Sequence, residues 1–554
     1  MGDRFQNPVL FADYSDPDVI RVDDRFYLTA SSFNYVPGLP VLVSEDLVHW
    51  KLENYALERI SEDPCRGIPH DNSTAVGERF EIPRHSEGVW APAIRFHDGK
   101  FYIFYGMPDE GIYMVCTEDP LGKWAEPVCI YRAKGFIDPC PWWDEDGRAY
   151  VIHAYAKSRI GFKSRLGIFE ITPDGQKALT EDRFIFEGND PDLPAMTIEG
   201  PKVYRRNGWY YILSPAGGVR RGWQLALRSK DIYGPYECRI VMEQGDTLIN
   251  GPHQGALVDS PDGREWFLHF QDRGLYGRIC HVQPVVWEND WPVIGNDANH
   301  DGIGNPVYEY DLPVSGKSGG GLVSSDEFEN NRPGLQWQWM GNLRESPYGE
   351  TERENGLCLK ALNLSAEEEP VLWHCSNVLT QKLIMPEFCM DIHADASKLE
   401  DGCRAGVIMM GGQYTALYVQ REQGTCSVCL AESSGDDKTK TETVLASFEI
   451  SPEDAADMTF RMVFVRSSKA EVSADGSIRM IHNRKDLYFE SVDSEKPELR
   501  MFFRSGQGSF TDSGCRFVPS DHTWVGAKTG IFAVSRKGST QGCAEFVSVN
   551  TAEL

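Results

Sequence analysis

A chain of 554 residues is too long for one ordinary hydrophobic core, so the sequence predicts two domains. The formal net charge is -28 at pH 7, and the acidic residues are spread over the whole length rather than gathered in a tail. This balance excludes the basic surface that binding to a phosphate backbone requires, so we expect no nucleic-acid partner.

Two further features bear on location. The opening residues, MGDRFQNPVLFADY, contain no cationic start followed by an apolar run, and no apolar stretch is long enough to span a bilayer. The 14 cysteines are scattered and contain no pair of Cys-x-x-Cys motifs with zinc-finger spacing. We therefore expect a soluble, cytoplasmic protein with reduced and mostly buried thiols, and no membrane partner.

A repeated turn marks the first half of the chain. Asp or Asn, followed in most copies by Gly, precedes an aromatic-rich run in five places, at 23–28, 98–103, 146–151, 207–212 and 262–267. Asp-Gly and Asn-Gly accept the positive φ angles of a two-residue hairpin turn, and the alternation of aromatic and aliphatic residues around them is typical of β-strands. Each copy therefore predicts a β-hairpin.

A second element follows three of these hairpins. It combines a polar turn with an aromatic residue that would anchor the turn, at 44–50, 117–124 and 229–236. The hairpins recur roughly every 50 to 75 residues, the spacing of four-stranded propeller blades with added loops. We therefore predict an all-β chain that begins with a five-bladed β-propeller. An antiparallel sandwich would explain the strands but not their recurrence.

The repeat ends near Gly295, and a Gly/Ser-rich stretch, VSGKSGGG at 314–321, follows it as a flexible linker. Beyond the linker, short apolar segments such as 462–465, 499–503 and 530–534 are separated by turns, and no helical run stands out. We predict a propeller domain at 1–310, a linker at 311–323 and a β-sandwich domain at 324–554.

Three acidic residues stand where first strands of the predicted blades begin. Asp16 and Asp138 each precede Pro, and Glu199 precedes Gly-Pro, so the backbone is fixed where each strand starts. The innermost strands of a propeller converge on its axis, where residues far apart in sequence can share one pocket. We expect the three carboxylates to form an active site, although any one of these turns, taken alone, is more often structural.

Short motifs, in their order and spacing together, carry a family resemblance. The motifs are NPVL at 7–10, DPDVIR at 16–21, GVWAP at 88–92, DP at 138–139, EGP at 199–201, HQG at 253–255 and GR at 277–278. With them the sequence resembles glycoside hydrolase family 43, the five-bladed propeller enzymes that include β-xylosidases and α-L-arabinofuranosidases. DEF at 326–328 and WQW at 337–339 look like the start of the lectin-like sandwich, a concanavalin A-like jelly roll, that the β-xylosidase branch carries after the propeller.

The resemblance implies a role for each carboxylate. Asp16 would be the general base, Glu199 the general acid, and Asp138 an auxiliary acid that orients Glu199 and raises its pKa. An inverting glycosidase needs one carboxylate to activate water and a protonated carboxyl on the opposite face to donate to the leaving oxygen. A third anion beside Glu199 would penalise its ionisation, so Glu199 would stay protonated near neutral pH. This chemistry requires no cofactor.

The resemblance also implies four further site residues. Phe33 and Trp90 would line the sugar subsite, although isolated aromatic residues are otherwise usually core. Arg278 would clamp substrate hydroxyls, or form an ion pair at a blade edge. His253 resembles the axial histidine near a bound ion, often calcium, which would be structural. Calcium prefers oxygen ligands, so the alternative is a histidine that simply hydrogen-bonds within the channel.

The implied substrate is a xylo- or arabino-oligosaccharide of the plant cell wall, from whose non-reducing end the enzyme would release xylose or arabinose. No residue separates these two activities. Ile137 stands where the family often has Phe, and PWW at 141–143 is bulkier than usual, so we expect an altered subsite.

Two other functions stay open. One is a catalytically silent, carbohydrate-binding propeller. The other is a retaining hydrolase of the invertase or fructan class, whose Asn-Asp-Pro-Asn motif is absent around Asp16. The sandwich could bind sugar, supply a lid or form an assembly surface, and a homo-oligomer is one outcome of the last.

Overall fold

The computed structural model describes residues 4–60, 76–317, 319–365, 367–481, 496–539 and 542–554. The chain divides into two compact units. Unit 1 comprises the described residues within 1–77, 86–273 and 278–321, and unit 2 comprises those within 78–85, 274–277 and 322–554. The predicted domains were continuous stretches of chain, whereas unit 2 also includes two short segments from the first half. Ser318 of the predicted linker lies outside the described residues.

Unit 1 consists of five four-stranded antiparallel sheets that follow one another along the chain, and one two-stranded sheet. Its strands are β1 (Arg4–Gln6), β2 (Asp18–Val22), β3 (Arg25–Thr29), β4 (Gly38–Ser44), β5 (Lys51–Leu57), β6 (Trp90–His97), β7 (Lys100–Met107), β8 (Gly111–Thr117), β9 (Val128–Arg132), β10 (Phe136–Trp143), β11 (Ala149–Tyr155), β12 (Arg165–Ile171), β13 (Arg183–Glu187), β14 (Lys202–Arg206), β15 (Trp209–Ala216), β16 (Trp223–Ser229), β17 (Glu237–Met242), β18 (His253–Asp259), β19 (Glu265–Asp272), β20 (Arg278–Glu288), β21 (Trp291–Ile294) and β22 (Glu309–Asp311). The two-stranded sheet pairs β1 with β22, and each other sheet takes the next four strands in order.

All five predicted hairpins are confirmed. Each predicted turn connects the first and second strands of one four-stranded sheet, as between β2 and β3 or between β14 and β15. The three anchored turns are confirmed as well, and each connects the third and fourth strands of its sheet. Trp50 shows how the anchor works: its ring is buried, and its indole N–H donates to the carbonyl of Leu47 in the same turn at 3.1 Å.

A recurring backbone feature marks the start of every first strand. A residue with positive φ stands there in each sheet: Asp16 at 54°, Ala91 at 33°, Asp138 at 55°, Gly200 at 56° and Gln254 at 30°. Proline follows the first four of these residues, and glycine follows Gln254. Non-glycine residues rarely adopt positive φ, and such residues gather at functional sites, so the repeat itself points to these strand starts.

Polar contacts link the sheets pairwise, and apolar side chains fill the space between neighbouring sheets. The linking contacts are Arg95 Nη1 to Asp18 Oδ2 at 2.6 Å, Arg95 Nη2 to Cys140 Sγ at 3.0 Å, Val203 N to Cys140 Sγ at 3.4 Å, Leu257 N to Tyr204 Oη at 2.8 Å, and Arg21 Nε to the carbonyl of Asp259 at 3.0 Å. The last contact joins the fifth sheet to the first.

Unit 2 contains two large antiparallel sheets and one small one. Its strands are β23 (Gln338–Trp339), β24 (Leu357–Lys360), β25 (Val378–Lys382), β26 (Phe388–Asp395), β27 (Cys403–Met410), β28 (Tyr414–Glu422), β29 (Thr425–Ser434), β30 (Thr441–Ile450), β31 (Met458–Val465), β32 (Ala470–Val472), β33 (Ile478–Met480), β34 (Glu498–Ser505), β35 (Thr511–Asp512), β36 (Lys528–Ser535) and β37 (Cys543–Glu553). The seven-stranded sheet has the order β23-β25-β36-β27-β28-β29-β30, the six-stranded sheet has the order β24-β37-β26-β31-β34-β35, and β32 pairs with β33.

The three strand segments predicted in this half lie within β31, β34 and β36, which confirms them. Helices are few and short in the described part of the chain. They are α1 (Val76–Arg79), α2 (Lys157–Ile160) and the 3₁₀ turns Gly274–Tyr276, Glu329–Asn331, Leu372–His374 and Asp454–Ala456. The prediction of an all-β chain is thus confirmed.

In the portion of the chain that the structure covers, no helix has the length and apolar character needed to cross a membrane. The 13 cysteines in that portion are all free thiols.

Candidate active site

The three predicted carboxylates occupy equivalent places in three different sheets. Asp16 precedes β2, Asp138 lies at the start of β10, and Glu199 precedes β14. Asp16 and Asp138 are 5% and 3% exposed, and the Glu199 side chain is 27% exposed. Buried carboxylates are costly unless they are paired or hydrogen-bonded, so the partners of each one define what it can do.

Both carboxylate oxygens of Asp16 are held by neighbours. The Ser31 hydroxyl donates to Oδ2 at 2.7 Å, and Arg278 Nη1 donates to Oδ1 at 2.8 Å. Ser31 Oγ also accepts the backbone N–H of Ala91 at 2.7 Å, so the start of the second sheet fixes the hydroxyl that fixes Asp16. Asp16 is thus paired with one cation and hydrogen-bonded at both oxygens, which fixes the position of a group that could act as general base.

Asp138 has only uncharged hydrogen-bond partners. Its Oδ2 accepts the backbone N–H of Gly200 at 2.8 Å and Nε2 of Gln254 at 3.4 Å. Burial raises the pKa of Asp138 well above its ordinary value, and the nearby carboxylates of Glu199 and Asp16 raise it further. Asp138 therefore binds a proton readily in this site.

Glycine is required at position 200 on geometric grounds. The residue has a φ of 56°, and a Cβ atom there would lie 2.7 Å from Cδ of Gln254. Because the Gly200 backbone packs closely in this region, its N–H reaches the carboxylate of Asp138. Glu199 directly precedes Gly200, so this hydrogen bond also connects Asp138 to Glu199.

Glu199 contacts a histidine. Its Oε1 lies 2.8 Å from Nε2 of His253, a fully buried residue at the start of β18. Burial acts to raise the pKa of Glu199, but the hydrogen bond and charge of His253, together with the charges of Arg278 and Lys163, outweigh it and hold the pKa below its ordinary value. This differs from the prediction that Asp138 keeps Glu199 protonated, because that prediction took no account of the cationic groups around Glu199.

Phe270 joins the two sides of the site. The Arg278 guanidinium lies 4.7 Å from the centroid of its ring, and the His253 ring lies 5.6 Å from it in an edge-on arrangement. The structure therefore brings Asp16, Arg278, His253 and Glu199 into one continuous set of contacts, and Gly200 and Gln254 connect Asp138 to it.

Phe33 and Trp90 lie next to this set. Phe33 and Val89 exchange two backbone hydrogen bonds at 2.9 and 3.0 Å, which places Phe33 beside the residue that precedes Trp90. The Arg159 guanidinium lies 5.3 Å from the centre of the Trp90 ring, and Asp109 binds that guanidinium through both carboxylate oxygens. Both aromatic side chains are largely buried, with 4% of Phe33 and 8% of Trp90 exposed, so only an edge or a small part of each ring is accessible from outside.

The donor set around His253 does not fit a protein-ligated calcium ion. Such an ion takes about six to eight oxygen ligands, whereas His253 Nε2 contacts one oxygen of Glu199, and its Nδ1 has no hydrogen-bond partner in the described part of the chain. Within that part, no group of three or more His, Cys, Asp or Glu side chains could hold a metal ion. A metal bound through water stays a prediction from the resemblance, and no step below depends on one.

The expectation for PWW at 141–143 is not supported by its position. Trp143 lies five residues after Asp138 on β10, about 16 Å along an extended strand. Its indole N–H donates to the carbonyl of Pro173 at 2.7 Å, and its ring stacks on His97 at 4.6 Å. The ring therefore packs between the second and third sheets, at the end of β10 that lies away from Asp138.

Sequence reasoning missed Ser31, Gln254, Phe270 and Lys202 as parts of the site. Ser31 lies two residues before Phe33, and Gln254 directly follows His253. In both places only the larger neighbour was assigned to the site. Lys202 Nζ is fully buried, has no hydrogen-bond partner among the described residues, and lowers the pKa of Asp138 by a small amount. All four could have been found from their position in the sequence, because each lies near the start or the inner end of a predicted strand.

Taken together, the site holds one carboxylate paired with an arginine, Asp16, and a second pair of carboxylates that readily binds a proton. General acid and general base catalysis require a proton donor and a proton acceptor, and the site offers carboxyl groups for both roles. The pair formed by Asp138 and Glu199 titrates as a unit, with the proton favouring Asp138 in this arrangement.

Comparison with known proteins identifies two family models in the chain. The model of "Glycosyl hydrolases family 43" matches residues 5–292, more than half of the chain, and includes all seven candidate site residues. The model of the "Beta xylosidase C-terminal Concanavalin A-like domain" matches residues 325–550. The second match confirms the predicted type of sandwich.

Two curated relatives differ in the activity that their names state. A "Putative beta-xylosidase" of Xylanibacter ruminicola is 42% identical over 370 residues, which cover 67% of this chain and 65% of the relative. A "Non-reducing end alpha-L-arabinofuranosidase BoGH43B" of Bacteroides ovatus is 30% identical over 397 residues, which cover 66% of this chain and 67% of the relative. The matched region thus spans about two thirds of the length of each.

Solved structures share the fold. The GH43 BlXynB protein from Bacillus licheniformis matches with a TM-score of 0.77 at 21% identity, covering 100% of both chains. A xylan beta-1,4-xylosidase from Bacillus Halodurans matches with a TM-score of 0.77 at 20% identity, covering 99% of this chain and 100% of the other. Identities this low support the fold alone, but together with the two family models they lead to one conclusion: the chain belongs to glycosyl hydrolases family 43.

Proposed function

We propose that this protein is an inverting exo-glycosidase that releases terminal xylose or arabinose from plant-cell-wall oligosaccharides. The observation that carries the proposal is the contrast between Asp16, which Ser31 and Arg278 hold by hydrogen bonds at both oxygens, and Asp138, whose buried carboxyl binds a proton. Inverting hydrolysis uses one charged and one protonated carboxyl on opposite faces of the sugar ring.

In the proposed mechanism, Asp16 removes a proton from a water molecule as that water attacks the anomeric carbon. Glu199 gives a proton to the glycosidic oxygen as the bond to the leaving group breaks. The Asp138–Glu199 pair supplies that proton: Asp138 binds it in the free site, and Glu199 takes it up when a bound sugar displaces its contact with His253. Arg278 positions Asp16 through their ion pair and would also donate to a sugar hydroxyl.

We also propose that the five four-stranded sheets are the blades of a closed five-bladed propeller. The equivalent positive-φ residues at the five strand starts support it, as does the contact between Arg21 and Asp259, which joins the last sheet to the first. In such an arrangement Asp16, Asp138 and Glu199 would face the axis, where a pocket closed at one end suits the release of single sugar units.

For the sugar, the proposal names both pentoses. The relatives described above are named for β-xylosidase and for α-L-arabinofuranosidase activity, and a "Xylosidase/arabinosidase" of Butyrivibrio fibrisolvens is 29% identical over 329 residues. D-xylose and L-arabinose are both pentoses of the same composition, so one small pocket could accept either. A cytoplasmic location is proposed as well, supported by the free thiols of the 13 described cysteines.

The test is hydrolysis of 4-nitrophenyl β-D-xylopyranoside and 4-nitrophenyl α-L-arabinofuranoside by the wild type and three variants. Asp16→Ala, Asp138→Asn and Glu199→Ala are each expected to lower kcat/KM by about 10²- to 10⁴-fold, because each removes a proton-transfer group or its partner. Asp24→Ala, in an exposed hairpin turn, is the matched control and should retain full activity.

Proton NMR of the first-formed sugar supplies the second readout. Release of α-D-xylose from the β-xyloside would support inversion. Release of the β-anomer would contradict it and favour a covalent intermediate. A folded wild type that hydrolyses neither substrate would contradict the proposed function and favour a carbohydrate-binding role.

A further inference from the structure

Unit 2 contains a cavity that the proposed function does not use. Its volume is about 250 Å³, and it lies against the seven-stranded sheet, near the start of β27 and the end of β36. The polar lining side chains are Glu369, Arg404, Gln420, Glu442, Ser535 and Arg536. We propose that this cavity is a second, non-catalytic site that binds a single neutral sugar ring.

The floor of the cavity is a fixed polar network. Arg404 bonds to the carboxylate of Glu442, to the hydroxyl of Tyr418 at 3.2 Å and to the carbonyl of Pro370 at 2.5 Å. Glu442 also accepts the hydroxyl of Tyr414 at 2.6 Å. Side chains held this firmly lose little further freedom when a ligand binds, which favours binding to a preformed site.

Two polar side chains on the lining have unused hydrogen-bonding capacity. Ser535 is only 4% exposed, yet its hydroxyl has no hydrogen-bond partner in the described part of the chain. The same holds, over those residues, for the side-chain amide of Gln420, which lies opposite Arg404 in the pairing of β27 with β28. A ligand that supplies hydroxyl groups would gain a hydrogen bond with each of these two side chains.

The charges of the lining balance. Arg404 and Arg536 oppose Glu369 and Glu442, and each arginine is already paired: Arg404 with Glu442, and Arg536 Nε with Glu369 at 2.8 Å. A phosphate or sulfate would need an uncompensated cation, and a polyamine would need an uncompensated anion. The balance therefore favours a neutral ligand with both donors and acceptors.

Size and shape narrow the ligand further. A cavity of about 250 Å³ is below the roughly 300–1,000 Å³ of sites that hold drug-sized molecules, so it suits one ring rather than a chain of rings. Pro370, Val371 and Val444 add an apolar wall opposite the polar groups. A pentose or hexose ring has the matching character, with C–H groups on its faces and hydroxyls at its edge.

Equilibrium dialysis of the full-length chain against labelled D-xylose tests the proposal, and the choice of this sugar rests on the proposed function. The wild type is expected to bind two molecules per chain, one at the active site as product and one in the unit 2 cavity. Gln420→Ala and Ser535→Val should each weaken one of these two binding events by about fivefold to tenfold, the effect of losing one hydrogen bond to a neutral group or of partly filling the cavity.

Matched controls separate the outcomes. Gln507→Ala removes the same amide from an exposed residue outside the cavity and should leave both binding events unchanged. Hydrolysis of 4-nitrophenyl β-D-xylopyranoside by the Gln420 and Ser535 variants should stay within twofold of wild type. Circular dichroism confirms that each variant is folded.

One molecule bound per chain whose affinity neither Gln420→Ala nor Ser535→Val changes would overturn the inference, as would two binding events that neither substitution changes. Displacement of the second molecule by sulfate or by putrescine would overturn the neutral-ligand assignment. If the wild type hydrolyses neither nitrophenyl substrate but still shows Gln420-dependent binding of D-xylose, L-arabinose or D-glucose, the proposed function fails and the second site stands.

Discussion

Glu387 of unit 2 and Asp138 of unit 1 are buried in opposite ways. In unit 2, Glu387 is fully buried and meets two cations: its Oε1 accepts Nε of Arg466 at 3.0 Å, and its Oε2 lies 2.7 Å from Nζ of Lys469. In unit 1, Asp138 is almost as deeply buried, but its hydrogen bonds come from a backbone N–H and an amide. The first arrangement neutralises a buried charge, and the second leaves a carboxyl that prefers to be protonated.

The difference between the partners of Glu387 and those of Asp138 helps to distinguish a structural carboxylate from a catalytic one. A buried acid that has no cation among its hydrogen-bond partners is retained at a cost in stability and is a mark of a functional site. Backbone strain follows the same division. Positive φ angles in unit 1 recur at the strand starts around Asp16 and Asp138, whereas in unit 2 they occur mainly in turns, as at Gln423 between β28 and β29.

The largest effect that would sharpen this comparison is expected from Glu387→Ala. The substitution leaves Arg466 and Lys469 buried without their anion, so the free energy of unfolding should fall by about 3–5 kcal/mol. Chemical denaturation followed by circular dichroism measures this loss. Glu453→Ala, which removes an exposed glutamate of unit 2, should change the free energy by less than about 0.5 kcal/mol. Equal, small effects of both substitutions would show that the buried pair does not stabilise unit 2.

Ser31→Ala is expected to have the next largest effect, on activity rather than on stability. Ser31 is a positioning residue, since its hydroxyl connects the Ala91 N–H to Asp16. Loss of a hydrogen bond to a charged group is worth about 1.5–3 kcal/mol, so kcat should fall by about 10- to 100-fold with KM little changed. Ser31→Thr keeps the hydroxyl and should restore most of the activity.

The neighbouring serine is the control for that experiment. Ser32 is equally buried, but its hydroxyl accepts the backbone N–H of Leu39 at 3.1 Å and makes no contact with Asp16 in the described structure. Ser32→Ala should therefore lower the thermal midpoint while leaving kcat close to wild type. A fall in kcat as large as that of Ser31→Ala would mean that general destabilisation, not positioning, causes the loss.

The sequence allowed the hairpins to be predicted because turn chemistry is local. Asp98-Gly99 and Asn207-Gly208 specify a tight turn whatever surrounds them, and the five copies revealed the repeat. The candidate carboxylates could be found because they stand at equivalent points of that repeat. The resemblance then assigned roles that the spacing alone left open.

What could not be predicted depends on contacts between distant parts of the chain. The low pKa of Glu199 arises from His253 and Arg278, which are 54 and 79 residues away in sequence and belong to another sheet. The strand order β24-β37-β26-β31 in unit 2 brings together strands from both ends of the second half, and no local pattern encodes such pairing. The segments 78–85 and 274–277 join unit 2 for the same reason.

The last expected effect is a pH dependence that breaks or supports the contrast between Asp138 and Glu387. The pKa of Asp138 is raised in the folded protein above the 3.8 of the unfolded chain, so the folded state binds this proton more tightly. Its stabilising contribution is complete below pH 3.8 and is lost as pH rises through the folded pKa, by at most about 1.4 kcal/mol per pH unit. Asp138→Asn cannot ionise and should not show this loss. The difference in unfolding free energy between Asp138→Asn and wild type should therefore grow from pH 4 towards pH 7. A difference that stays constant over this range would mean that Asp138 is charged in the folded protein. The surroundings of Asp138 would then stabilise its buried charge as fully as Arg466 and Lys469 stabilise that of Glu387.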